Sequence, residues 1–393
     1  MKLRFKPRLS LQTYSVIAVI AASVGLLLYR LVSLTPSMQI YVEQRLPTIT
    51  GALASIYKSP IELPSALSRL IITTFVPSSG IGSNRLPSVL LGFVLVLLAY
   101  WLLRKWYGYR LAMFGTILLA CSAWFLHASR LGTNDIAYPL SMTLLLVLIA
   151  LWHQSTWSKK LFYITAVSVA LLLYMPGFVF LILGVVFFER RNIFKNIKAN
   201  KRHAAIALLL GLLLLAPLIR FMVIDWHRYT YILGYVGAMP SILDYVKEYF
   251  LTWKYIFIGG YNDPLRNVGS LPIIDIFMTV ASFVGIYLYS THLKAARTRQ
   301  IIWLWLIGTA LIALPGGIPL SLILPIVVVL ATGGIGYLLH LWLKVFPRNP
   351  LARSFGIGLI GIVIAFSVAY NLRSYFVAWP NNPTTRSAFT QQP

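Results

Sequence analysis

Long apolar runs alternate along this chain with short polar links, and the runs have the length of membrane-crossing helices. Eleven stand out, near 14–34, 87–103, 111–127, 136–153, 161–174, 176–188, 204–224, 274–291, 301–315, 318–343 and 355–371. A helix needs about 20 residues to cross the hydrocarbon core, and in lipid each spanning segment must satisfy its own backbone hydrogen bonds. The pattern therefore predicts an all-α polytopic membrane protein of about eleven helices. The tightest stretch is 161–188, short for two crossings, with Met175-Pro176-Gly177 supplying the break between two arms of a hairpin.

Composition agrees: of 393 residues 59% are hydrophobic and 11% charged, against about 25% charged in soluble proteins. Mean hydropathy is +0.78. The single cysteine, Cys121, excludes a disulfide framework and a cysteine-based metal site. The first apolar run is longer than a signal-peptide core and no small-x-small cleavage site follows it, so it reads as a retained helix.

Net charge is +25, yet the basic residues form no patch or stripe of the kind that binds nucleic acid. They cluster in alternate links: Lys2 to Arg8, Arg104/Lys105/Arg110, Lys159/Lys160, Arg190 to Arg202, Lys294/Arg297/Arg299 and Lys344/Arg348/Arg353. That is the cytoplasmic pattern. It places the N-terminus inside and the C-terminus outside, in a cytoplasmic (inner) membrane. Of the nine acids, all but Glu189 then fall on the outer side. The outer side also carries the two long loops, 35–86 and 225–273, so the working surface faces outward. No separate soluble domain is expected, and 1–393 reads as one transmembrane domain.

The outer turn Ser129-Arg-Leu-Gly-Thr-Asn-Asp135 puts an arginine and an aspartate into a short gap between two long apolar runs. Two readings stay open. Gly-Thr-Asn-Asp is good turn chemistry and Asp135 could cap the next helix. Alternatively, Arg130 and Asp135 point into an outer cavity, where ionisable groups at membrane depth are usually functional. His127 reads as a packing residue and Ser354-x-x-x-Gly358 as helix packing, while Tyr229, Tyr231, Tyr235, Tyr245, Tyr249, Phe250, Trp253 and Tyr255 read as an interfacial aromatic belt, with holding a sugar ring or lipid as the alternative.

Together with this turn, Asn84-Arg-Leu-Pro-Ser-Val-Leu-Leu-Gly-Phe93 and the basic link Trp106-Tyr-Gly-Tyr-Arg110 resemble the GT-C superfamily of membrane glycosyltransferases, in its protein O-mannosyltransferase and aminoarabinose-transferase-like branch. Ser129, Arg130 and Asp135 match that branch in spacing. The block Gly260-Tyr-Asn-Asp-Pro-Leu-Arg-Asn267 resembles its later outer loop, and Tyr375 to Phe389 its C-terminal end. The resemblance implies a polyprenyl-phosphate sugar as donor, membrane lipid beside it, and transfer to an acceptor (lipid, glycan or protein) on the extracytoplasmic face. It makes Asp135 the main catalytic acid. Arg130, Lys58, Arg85 and Arg266 become candidates for the donor phosphate, with Asn134, Glu62 and Asp263 beside the substrate. A divalent metal ion is a cofactor compatible with a departing phosphate.

The sequence departs from the branch in the first loop. The aspartate expected just after the first helix is missing from Leu34 to Tyr41, and the first acid is Glu43. Where the branch has Glu-Lys-Pro, this chain has Glu62-Leu63-Pro64. Glu43 is the expected replacement for the lost acid, with Glu62 as the other candidate. Two further functions stay open: a divergent GT-C scaffold that binds lipid-linked sugar or a partner, and a lipid-linked glycan transporter or flippase. Against the transporter stand the lack of an internal repeat and of acids in mid-span.

Overall fold

A computed structural model describes residues 11–35, 48–76, 80–224, 228–236, 238–261, 266 and 268–389. In chain order the helices are α1 (Leu11–Leu28), α2 (Ile49–Lys58), α3 (Leu63–Phe75), α4 (Ile81–Tyr107), α5 (Tyr109–Cys121), α6 (Ala123–Arg130), α7 (Ala137–Trp152) and α8 (Lys159–Leu173). They continue with α9 (Phe178–Ala199), α10 (Lys201–Ile224), α11 (Tyr229–Leu233), α12 (Ile242–Phe257), α13 (Ile276–Ser290), α14 (Ala296–Ile312), α15 (Leu324–Val345) and α16 (Pro350–Arg373). A π-helical turn, Ser374–Ala378, and two short helices complete the described chain.

A helix lies over each apolar run. By length and apolarity alone, four helices among the described residues can cross a membrane: α4, α10, α15 with the turn before it, and α16 with its continuation. The pair α5 and α6, bent by 59°, makes a fifth as one broken span. The break predicted at Pro176-Gly177 is present: α8 stops at Leu173, α9 starts at Phe178, and Gly177 sits at φ 78°.

The core is built around α7, buried almost throughout, and the first half of α15, Leu324 to Ile335, with α4, α5 and α13 packed on them. Small residues set how closely α13 and α15 approach. A Cβ on Gly285 would stand 2.0 Å from the Leu330 carbonyl, and one on Gly334 would stand 1.9 Å from that of Ala281. Lipid tails are as apolar as leucine, so such close backbone contact is a main source of helix attraction in a bilayer. The Ser354–Gly358 expectation is corrected here. A Cβ on Gly358 would meet nothing, whereas the close contact in α16 is at Gly356, against the Trp342 indole.

The basic links gather at one end of the bundle. There Tyr107 bonds to the Tyr289 hydroxyl and the Val329 carbonyl, while the Arg297 guanidinium lies over the rings of Trp106, Tyr107 and Tyr289. Asn196 accepts from the Trp157 backbone at 2.8 Å. The same end holds buried Glu189, which accepts from Gln300 at 3.0 Å and lies 3.4 Å from His153. Among the described acids, Asp275 has a structural place of its own. It caps α13 through the Met278 amide and also accepts from Ser367 and Asn371 on α16.

Candidate active site

The turn after α6 is held from below by α4, whose Ser88 hydroxyl donates to the Thr133 carbonyl at 2.9 Å. The Asp135 carbonyl accepts from the Tyr138 amide at 3.3 Å. The residue before α7 is Ile136, which makes no side-chain cap. Asp135 stands half-buried one position earlier, and Asn134 turns toward the first loop. The Asn134 amide donates to the Glu62 carboxylate, and its oxygen accepts from Arg69 of α3 at 2.7 Å. Tyr138, on the first turn of α7, donates to the other Glu62 oxygen at 2.9 Å.

Glu62 is therefore fixed by three elements. Its backbone is in the left-handed region, φ 58°, at the start of α3, and its amide donates to the Tyr174 carbonyl at 3.0 Å. A non-glycine residue in that region costs energy and persists only where surrounding bonds determine it. Arg69 is largely withdrawn from water. Burial lowers its guanidinium below the usual value, with the Glu62 charge opposing the shift.

A second cluster adjoins the first. Arg266 donates to the Gly317 carbonyl at 3.2 Å. Gly317 has φ 71°, and a Cβ there would stand 2.9 Å from the guanidinium, so glycine is required twice over. Arg266, Glu248, Tyr255 and Tyr261 line a cavity of about 410 Å³ between α12 and the turn after α14. Burial, then the Glu248 charge, raises the Tyr255 hydroxyl above its ordinary value. Asp135 and Arg266 lie within charge-interaction reach of the same Tyr138 hydroxyl that donates to Glu62, which sets the two clusters side by side. That cavity is in the size range of small-molecule sites.

Glu62, Asn134, Asp135 and Arg266 are thus brought together. Arg85 and Arg130 are turned to another task. Arg130 is 2% exposed, donates to the carbonyls of Leu27 and Tyr29, and stacks on Tyr375 and Phe376. Arg85, 1% exposed, donates to the Leu31 carbonyl at 2.6 Å. Both close the end of α1, where free carbonyls and the helix dipole favour cations. The partners the structure gives these two guanidiniums are thus structural, on α1 and the turn after it. Lys58 is exposed in the last turn of α2. Glu43 and Asp263 lie outside the described residues. His127 packs edge-on against Trp379, as expected. The aromatic belt is divided: Tyr255 faces the cavity, Trp253 packs on Trp305, and Phe250 is exposed.

Sequence reasoning missed Arg69, Tyr138 and Glu248. Arg69 is the lone charge in an apolar helix and Tyr138 the lone hydroxyl-bearing ring beside the turn, which are the signals available. Among the described residues no three His, Cys, Asp or Glu gather to hold a metal ion.

Residues 64–221 match the family model described as dolichyl-phosphate-mannose-protein mannosyltransferase. That segment holds Arg69, Asn134, Asp135 and Tyr138, and starts two residues after Glu62. The fold is similar to that of ArnT from Cupriavidus metallidurans in the apo state, with TM-score 0.52 and 12% identity over 96% of this chain and 77% of that one. The same protein bound to undecaprenyl phosphate gives TM-score 0.54 and 11% identity, with the same coverage. The likeness to that mannosyltransferase family thus covers less than half of the chain, while the fold as a whole is similar to that of ArnT. Among curated protein sequences no relative matches. In this chain the Glu62 carboxylate comes from the start of α3 and is tied to the turn after α6 through Asn134.

Proposed function

We propose that this chain transfers a sugar from a polyprenyl-phosphate donor to an acceptor on the extracytoplasmic face of the cytoplasmic membrane. The observation that carries the reading is Glu62, a carboxylate held between Asn134 and Tyr138 and set beside the cavity lined by Arg266. The family match and the similarity to an undecaprenyl-phosphate-bound ArnT support the donor class.

In the reaction an acceptor hydroxyl or amine attacks the anomeric carbon. The bond from that carbon to the phosphate oxygen breaks, and polyprenyl phosphate leaves with the electron pair. A carboxylate takes the acceptor proton. Glu62 takes that part, standing in for the acid missing after α1, and Asp135 is the second carboxylate that orients the acceptor. Arg266 meets the departing phosphate, since guanidinium binds phosphate oxygens two at a time. Arg69 acts through Asn134 and holds the carboxylate in place. Glu248, on the cavity wall, is a contact for sugar or acceptor hydroxyls. Glu43 is the other first-loop acid suited to the base's part.

The test is to present the reconstituted protein with a panel of radiolabelled polyprenyl-phosphate sugars and to follow label into new products. Transfer from at least one donor supports the reading. Movement of intact donor across the bilayer without release of polyprenyl phosphate would overturn it in favour of transport.

A further inference from the structure

At the basic end of the bundle, α9 and α14 form a site that plays no part in sugar transfer. Arg190 and Arg191 on α9 and Arg299 on α14 line a small cavity of about 230 Å³ with Phe187 and Phe188. Two of the guanidiniums lie over the rings. Arg190 lies 4.2 Å over Phe187 and donates to its carbonyl at 2.9 Å, and Arg299 lies 5.7 Å from Phe188. The nearby acid, Glu189, is turned inward to Gln300 and His153 and is buried. Among the described residues no carboxylate lies within ion-pair distance of these three arginines. Three converging cations without a carboxylate make a site for an anion.

The surroundings select which anion. Phe180, Leu183, Phe187 and Phe194 are 38%, 60%, 58% and 61% exposed, and their spacing puts them on one face of α9. Arg190 and Arg191 fall on that same face. An apolar stripe leading to clustered arginines matches an acyl chain leading to a phosphate. The two helices are locked at this point: a Cβ on Gly184 would stand 1.8 Å from the Trp303 indole nitrogen, and that nitrogen donates to the Phe180 carbonyl at 3.3 Å.

We infer that the Arg190–Arg191–Arg299 cavity binds the phosphate headgroup of an anionic phospholipid in the cytoplasmic leaflet, with the lipid's chains along the exposed face of α9. Basic pockets between helices on the cytoplasmic side are where anionic headgroups are bound.

Native mass spectrometry of the full chain tests this, with phosphatidylglycerol, phosphatidylcholine and inorganic phosphate as separate probes. The wild type should retain phosphatidylglycerol at least tenfold more tightly than phosphatidylcholine. Arg190→Gln and Arg299→Gln should each weaken retention about fivefold, as loss of one interfacial cation does. Phe187→Ala keeps every charge and should weaken retention by loosening Arg190. Lys344→Gln, at a different basic link, should change nothing. Equal retention of the two lipids, or folded arginine variants that bind like wild type, would overturn the inference. Inorganic phosphate that binds as tightly as the lipid would overturn it too, leaving a soluble-anion site.

Discussion

The Tyr138 hydroxyl donates to Glu62 at 2.9 Å, so one carboxylate is shared by the start of α3 and the first turn of α7. A hydrogen bond to a charged group contributes about 1.5–3 kcal/mol. Tyr138→Phe removes the bond and keeps the ring. It should fold normally and lower turnover roughly 10- to 100-fold, the same energy expressed as rate. Initial rates of polyprenyl phosphate release beside a melting curve check this, and an unchanged rate would remove Tyr138 from the site.

Arg69 is the positioning residue behind Asn134. Arg69→Met leaves the Asn134 oxygen without its donor and should cost about 1–3 kcal/mol of stability. Its effect on rate should depend on Asn134, so the double variant Arg69→Met/Asn134→Ala should be no slower than Asn134→Ala alone. Additive losses in that double-mutant cycle would show that Arg69 acts by another route.

Arg130 should separate cleanly from the catalytic residues. Arg130→Gln strands the Leu27 and Tyr29 carbonyls at the buried end of α1 and should destabilise the protein by about 3 kcal/mol. The fraction that stays folded should keep the wild-type KM. Lys58→Gln, on an exposed turn, should shift the melting midpoint by less than about 0.5 kcal/mol equivalent. A raised KM in folded Arg130→Gln would return that guanidinium to the substrate.

Gly317→Ala tests the seat of Arg266. The new methyl meets the guanidinium at 2.9 Å on a backbone at φ 71°, and the strain alone costs about 1–2 kcal/mol. Displacing Arg266 should raise KM for the donor more than it lowers kcat. A kcat loss at constant KM would place Arg266 away from the ground-state phosphate.

How far these features were legible in the sequence differs by residue. Apolar runs located helices well, because hydropathy reports a bilayer constraint that every span obeys. The turn after α6 was recognised as a unit, but its parts divide. Asn134 reaches the Glu62 carboxylate, whereas Arg130 turns back to α1. Spacing cannot tell which way a buried guanidinium points, and here the deciding partners are backbone carbonyls from residues a hundred positions earlier. Glu62 was visible as the remnant of a Glu-Lys-Pro pattern, while its partner Arg69 looked like any lone cation on an apolar helix. In α16 the residue with a methyl-sized gap to spare was Gly358 and the crowded one Gly356, since small-residue spacing marks a possible contact without saying where the neighbour's indole will lie.

The most direct test compares wild type with Glu62→Gln and Asp135→Asn in reconstituted bilayers, each shown to be folded. The readout is release of free polyprenyl phosphate from the donor panel. Removing a general base costs about 10²- to 10⁴-fold. The prediction is wild-type turnover of at least one donor and a loss of that size in Glu62→Gln, with a smaller loss in Asp135→Asn. Undiminished release by both variants, or none from any donor with folded wild type, would contradict the account.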